Sequence, residues 1–247
     1  MAVAVLILPV ASVVALFYST LSGDDTSPRA RAVIVDQLAA TDPNPSFVTN
    51  ATRMLETAGY EVDYVGPESV SVAFYRALPR LGFDLIILRS HAAAFSSDRN
   101  ESDLSETRGV SLFTNESYSS RQYVEEQRNG LLSRARYADI LEGEAFFAVD
   151  ARSVASLMEG SFGGATIVLM GCAGLRTDTL AAAFYARGAK RFISWDDDVT
   201  ASYTDSATSR FLDHLLASDG SVDFAVELTM NELGPDPFYG ARLLAYP

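Results

Sequence analysis

The sequence predicts an α/β fold of three layers, with a doubly wound, mostly parallel sheet between helices. Short apolar runs alternate along the chain with segments whose apolar residues have helical spacing. Two of these runs, at 83–88 and 165–170, are apolar except at Asp84 and Thr166, which is typical of strands buried on both faces. With 247 residues, of which 48% are hydrophobic, the chain can bury the core of a single domain.

The elements follow from these patterns in chain order. Helical spacing of Phe47, Ala51 and Leu55 predicts the first helix, and Gly59 ends it. The predicted strands are 31–36, 60–65, 83–88, 165–172, 190–194 and an edge strand at 240–246. The predicted helices are 45–58, 70–81, 152–159, 180–187, 202–217 and 222–233.

A long polar segment at 92–143 interrupts this alternation. Its residues are mainly Ser, Asn, Glu and Arg, and order returns at 146–149. Insertions of this length inside a domain are usually functional lids, binding loops or disordered inserts. We expect one of these three here.

The amino terminus differs from the rest of the chain. Residues 2–21 are almost wholly apolar and uncharged, and a polar linker follows at 22–30. This length suits a transmembrane helix, so 1–21 is predicted to be an uncleaved anchor, with a signal segment as the alternative, and the domain begins at 31. The sequons at Asn50, Asn100 and Asn115 favour a single-pass protein of the cell membrane with its domain outside.

The charge balance excludes one class of partner. Asp and Glu number 32 against 19 basic residues, a net charge of -13, so nucleic acid is not an expected partner. The 19 basic residues include a single lysine, Lys190, and are otherwise arginine. This acidic, lysine-poor composition resembles that of proteins from salt-loving archaea.

Two strand ends carry the residues of nucleophilic catalysis. The third predicted strand leads to His91, one of two histidines, and the fourth ends at Cys172, the only cysteine. The carboxyl ends of parallel strands form the ligand crevice of such sheets, so we expect the imidazole and the thiol on one rim. Together they predict a Cys-His dyad for acyl transfer to a thiolate.

The order of these elements resembles the caspase-gingipain fold of cysteine peptidases, most closely its CHAT and gingipain branch. The resemblance covers 31–216 and is carried by Met170-Gly171-Cys172, by 180–190 and by Ser194-Trp195 with Asp196-Asp197-Asp198. The tail at 234–240 is similar to that of uncharacterised archaeal caspase-like proteins. A peptide or protein substrate, and no cofactor, is what this resemblance implies.

The resemblance also implies roles for other residues. Backbone N–H groups of Ala92 and Cys172 would hold the oxyanion, although the family usually has glycine after the histidine, and a positive φ at Ala92 would be strained. The end of the first strand lines the substrate pocket in this fold, so Asp36 is expected to select basic side chains. The other expected substrate-binding residues are Trp195, Asp196 and Asp198.

Other interpretations compete with the peptidase. The chain could be a catalytically inactive caspase-like domain that binds a peptide or protein, in which Cys172 is only a packed side chain. A nucleotide-binding flavodoxin-like domain is disfavoured because no glycine-rich loop follows the first strand. Zinc is not expected, since one cysteine and two distant histidines lack ligand spacing; calcium at 196–198 is an open alternative to a solvated acidic loop. His214 lies on a helical apolar pattern and is interpreted as structural.

Overall fold

A six-stranded sheet forms the centre of the computed structural model, which describes residues 29–96, 107–137, 143–218 and 221–247. The predicted anchor at 1–21 and nearly all of the linker lie outside these residues. Within the described part of the chain, no helix combines the length and apolarity needed to cross a bilayer.

The central sheet is parallel except at one edge. Its strands, in spatial order, are β2 (Glu61–Val65), β1 (Arg31–Asp36), β3 (Leu85–Arg89), β8 (Thr166–Leu169), β9 (Arg191–Trp195) and β10 (Leu243–Tyr246). β10 pairs antiparallel with β9, and the other neighbours are parallel. The predicted α/β class, with its mostly parallel sheet and edge strand, is confirmed.

Helices cover both faces of this sheet. In chain order they are α1 (Pro45–Thr57), α2 (Val72–Ala77), α3 (Val124–Arg128), α4 (Ala151–Ser156), α5 (Thr179–Ala186), α6 (Ala201–Ala217) and α7 (Val222–Leu233). Apolar residues of α1, α6 and α7 join the core on one face, and those of α2, α4 and α5 join the core on the other. Because successive strand residues point to opposite faces, Val33 and Ile34 belong to different cores.

The segment at 92–143 differs from its prediction. Over its described residues it contributes most of a second, antiparallel sheet with the strand order β4-β5-β7-β6. These strands are β4 (Ala92–Ser96), β5 (Thr107–Ser117), β6 (Ser133–Ala135) and β7 (Phe146–Val149). The sequence conceals them because polar residues alternate with a few buried ones, Val110 and Leu112 among them, that complete the core on one face of the central sheet.

A buried ion-pair network joins the ends of β1 and β3 to α6. The Arg89 guanidinium, 1% exposed, donates to Asp36 at 2.7 Å and to both carboxylate oxygens of Asp205 at 2.7 and 2.9 Å. It also donates to the carbonyl of Asp42 at 2.8 Å, and Asn44, which caps α1, donates to Asp205 at 2.8 Å. Three elements are thereby tied together at the carboxyl edge of the sheet.

Replacement of Arg89 tests this network. Arg89→Met leaves two buried carboxylates without their counterion, and we expect it to lower the free energy of unfolding by about 3–5 kcal/mol. The matched control is Arg80→Met, which removes the exposed ion pair with Glu159 and should cost less than about 1 kcal/mol. Urea denaturation measures both values, and equal losses would show that the buried network contributes no more than a surface pair.

Candidate functional site

The carboxyl ends of β1, β3 and β8 meet where the chain reverses its direction of winding. From β1 the chain adds β2 on one side and then β3 on the other, so the switch point lies between β1 and β3. In open α/β sheets the crevice beside such a point is the usual ligand site. His91 follows β3 and Cys172 follows β8, the adjacent strand, so both predicted residues lie at this rim.

The approach of the β3 and β8 ends depends on Gly171. The pairing of Leu88 with Leu169 continues as a hydrogen bond from the Met170 N–H to the Leu88 carbonyl. Beyond it, a Cβ atom on Gly171 would lie 2.4 Å from the carbonyl oxygen of Ser90, which is closer than atoms can approach. A glycine is therefore required directly before Cys172.

His91 is held by residues that follow β1. Its backbone N–H donates to Gln37 Oε1 at 2.8 Å, and its Nε2 lies 2.8 Å from Thr41 Oγ1. The rings of Phe113 and Tyr137 lie 6.0 and 4.7 Å from the imidazole, centroid to centroid. Gln37 also donates to Tyr137 Oη at 3.0 Å. The same side chain therefore holds both the His91 backbone and the Tyr137 ring that packs against the imidazole.

Cys172 is half-buried and its sulfur contacts the backbone of Val199. Both the N–H and the carbonyl of Val199 lie 3.5 Å from Sγ. Among the hydrogen bonds of the described residues, none joins Sγ to the imidazole of His91. The next residue, Ala173, has φ +58 and donates its N–H to the Asp197 carbonyl at 2.9 Å, so the chain turns sharply just after the thiol.

The pKa values of the two groups shift in opposite directions. Burial lowers the pKa of His91 below its ordinary value, an effect that Asp42 opposes and Arg89 reinforces. Burial also raises the pKa of the Cys172 thiol; the Val199 hydrogen bond opposes this shift and the charge of Asp198 adds to it. At neutral pH the His91 imidazole is therefore neutral and the Cys172 thiol is protonated.

Ala92 is not strained in the way that the resemblance suggested. Among the described residues, the non-glycine positions with positive φ are Tyr123 and Ala173, whereas Ala92 begins β4. The Phe113 N–H donates to the His91 carbonyl, so the next pair along β4 and β5 is a non-hydrogen-bonded one. The Ala92 N–H consequently points away from β5, and its nitrogen would lie 3.1 Å from a Cβ atom on Gly171.

Asp36 finds no support as a pocket residue. Its side chain is buried at the end of β1, and the ion pair with Arg89 neutralises its charge. Its Oδ1 also accepts the N–H of Ala39 at 3.1 Å, and Tyr64 donates to Oδ2 at 3.3 Å. A carboxylate with these partners is not available to a substrate cation, because binding one would break its buried hydrogen bonds to Arg89 and Ala39.

Trp195 and the acidic residues after it occupy different environments. Trp195 is completely buried and its indole N–H donates to Thr204 Oγ1 at 2.9 Å, so it belongs to the core and not to a pocket wall. Asp196 accepts the Arg242 N–H at 2.7 Å, which joins β9 to the start of β10. Asp198 lies 3.5 Å from Arg176 and remains partly exposed near the thiol.

No metal site is evident at these carboxylates. Within the described ranges, no three side chains of His, Cys, Asp or Glu are grouped so that they could hold an ion. The calcium alternative at 196–198 therefore has no ligand cluster to support it. Arg176, which also pairs with Asp197, occupies the position beside these carboxylates instead.

A groove of about 560 Å³ lies on the face of the second sheet. β4 is at the edge of that sheet within the described residues. The groove is lined by Ala93, Phe95, Ser111, Phe113, Arg134 and Arg136, among others. Phe113, which lines this groove, has its ring centroid 6.0 Å from that of the His91 imidazole.

Several residues of the site were not found from the sequence. Gln37, Thr41 and Tyr137 contact His91, and Val199 contacts Cys172, although none of them belongs to a recognisable motif. The one sequence signal that could have found any of them is a position directly after β1, because that strand borders the switch point. It identifies Gln37 but not the other three.

The raised thiol pKa predicts how Cys172 reacts. With iodoacetamide, the alkylation rate should rise with pH around a midpoint above the usual thiol value of about 8.5, because the thiolate is the reacting form. Asp198→Asn removes a charge that raises this pKa, so its midpoint should fall. Asp213→Asn on the exposed face of α6 is the control and should not move it. An upward shift, or none, in Asp198→Asn contradicts the electrostatic account.

Neither a model of a known protein family nor a curated protein sequence matches this chain.

Proposed function

We propose that this protein is a cysteine endopeptidase in which Cys172 is the nucleophile and His91 the general base. The observation that carries the proposal is the placement of the only cysteine and of His91 at the ends of adjacent parallel strands beside the switch point. A mostly parallel sheet with helices on both faces also agrees with the architecture implied by the resemblance to caspase-gingipain peptidases.

The chemistry follows from the neutral pair. As Sγ attacks the scissile carbonyl, a C–S bond forms, the carbonyl electron pair moves to oxygen, and His91 takes the thiol proton. Backbone N–H groups of Ala92 and Cys172 would stabilise the oxyanion. The intermediate collapses with cleavage of the C–N bond, and the imidazolium returns its proton to the leaving amine. Water, deprotonated by His91, then hydrolyses the thioester and releases Cys172.

A preference for basic residues in the substrate remains part of the proposal, with Asp198 kept from the sequence prediction and Asp42 in place of Asp36. Asp42 acts electrostatically on His91 and Asp198 acts on Cys172, so both negative charges reach the reacting groups. Unlike Asp36, both are solvent-accessible. A substrate cation bound at this rim would therefore meet negative potential from two sides.

Membrane attachment through 1–21 and an exterior domain also remain proposals. One of the three sequons supports the exterior location less than expected, because the Asn115 amide donates to the carbonyls of Gln37 and Pro67, both at 3.1 Å. Asn50 is exposed on α1 and is available for glycosylation. Asn100 lies outside the described residues.

An inactive peptide-binding domain is the second candidate. It is favoured by the absence of a hydrogen bond between Sγ and the imidazole among the described residues, and by the raised pKa of the thiol. In that case the rim would bind a peptide along β4 without cleaving it. The two candidates differ in whether His91 accelerates reaction at Cys172.

Labelling with an active-site probe separates the candidates. A peptidyl-arginyl acyloxymethyl ketone should modify Cys172 of the full-length wild type, and Cys172→Ala should abolish the modification. His91→Ala should slow labelling by about 10²–10⁴-fold because the general base is lost. His214→Ala is the matched control, since that imidazole pairs with Glu232 on the helical face. Equal labelling rates in His91→Ala and wild type would favour the inactive domain.

Peptides that differ only in charge test the preference. Wild type should cleave after arginine faster than after citrulline, its uncharged analogue, and Asp42→Asn and Asp198→Asn should each reduce the ratio of the two kcat/KM values by about two- to fivefold. Taking the ratio within each variant cancels changes in thiol reactivity. Asp213→Asn should leave the ratio unchanged. If both rim variants also leave it unchanged, these carboxylates do not select the substrate.

A further inference from the structure

The Thr41 hydroxyl is the one side-chain group hydrogen-bonded to an imidazole nitrogen of His91 among the contacts of the described residues. Thr41 Oγ1 lies 2.8 Å from His91 Nε2, and 3.3 Å from the carbonyl oxygen of Leu38. That carbonyl also accepts the N–H groups of Thr41 and Asp42, at 3.0 and 2.8 Å. The turn that carries the hydroxyl is thus closed on itself.

The same turn is fixed to the rest of the rim. Arg89 donates to the carbonyl of Asp42, the residue after Thr41, and Gln37 at the start of the turn accepts the backbone N–H of His91. The segment 37–42 therefore holds His91 at two points, the backbone and Nε2. Rotation of the imidazole requires that the Thr41 contact break.

We infer that Thr41 is a positioning residue that accepts a hydrogen bond from Nε2–H and so presents Nδ1 of His91 as the basic nitrogen. The inference rests on the proposed peptidase function. An imidazole that takes a proton through Nδ1 carries hydrogen on Nε2 both before and after the transfer, so it needs an acceptor there throughout. Thr41 Oγ1 can serve as that acceptor while its own hydrogen is directed to the Leu38 carbonyl.

This arrangement follows a general requirement of base catalysis. A base is effective when a third group fixes its tautomer and the orientation of its ring. Here the third group is a neutral hydroxyl, so it orients the imidazole without adding a negative charge. The lowered pKa of His91 agrees with this, since no carboxylate forms a hydrogen bond with its ring among the described residues.

The test uses three variants of the full-length chain. Thr41→Val keeps the shape but removes the hydroxyl, Thr41→Ser keeps the hydroxyl, and Thr57→Val removes a hydroxyl that donates to the Arg53 carbonyl on α1, away from the site. Since the contact between Thr41 and His91 is exposed to solvent, the valine variant should fold normally, which circular dichroism checks.

The first readout is the rate of labelling by the arginyl probe. Thr41→Val should slow labelling about ten- to a hundredfold, whereas Thr41→Ser and Thr57→Val should stay within about threefold of wild type. A valine variant as fast as wild type overturns the inference. A serine variant as slow as the valine variant overturns it too, because the hydroxyl would then not be the important group.

The second readout is independent of activity. Long-range ¹H–¹⁵N NMR correlations distinguish imidazole tautomers, and the chain has only two histidines, so His214 is an internal reference. Above the pKa of His91, wild type should show hydrogen on Nε2, and Thr41→Val should lose this preference while His214 is unchanged. Hydrogen on Nδ1 in wild type overturns the inference. If wild type is not labelled at all, the peptidase proposal fails, and this spectrum still decides the role of Thr41.

Discussion

The buried pairing of Arg89 with Asp36 and Asp205 is the constraint on which the candidate site depends. Arg89 ends β3, Asp36 ends β1 and Asp205 lies on α6, so one guanidinium fixes the relative positions of two strand ends and a helix. Removing Arg89 would leave two buried carboxylates without their counterion, which is far more costly than losing a surface ion pair. The network therefore fixes the strand ends that carry the candidate site.

His91 is close in sequence and in space to this ion-pair network. Gln37 directly follows Asp36, and His91 lies two residues after Arg89. The contact between Gln37 and the His91 backbone therefore joins two segments of the chain that the ion pair already fixes. Cys172 is placed from the other side, through the close approach that Gly171 permits and through the Val199 backbone. The positions of His91 and Cys172 are thus set by the neighbouring structure, and among the described residues no hydrogen bond joins the two side chains.

Burial and charge at the rim have separate effects. Burial keeps both the imidazole and the thiol in their uncharged forms. The accessible carboxylates of Asp42 and Asp198 supply negative potential without bonding to either group. Asp36, which the sequence had placed in the substrate pocket, instead has the structural task of balancing Arg89.

The sequence by itself determined the α/β class, most strand and helix positions and the two chemically distinctive residues, because burial on both faces of a parallel sheet imposes continuous apolar runs and a single cysteine is conspicuous. It did not predict the second sheet, most of whose strands lie in a segment rich in polar residues. Nor could it assign Asp36, Trp195 or Thr41, since the partners Arg89, Thr204 and His91 are brought to them by strand order and helix packing. Long-range contacts of this kind are decided by the tertiary structure alone, because a side chain's charge and exposure depend on what surrounds it and not on its neighbours in the chain.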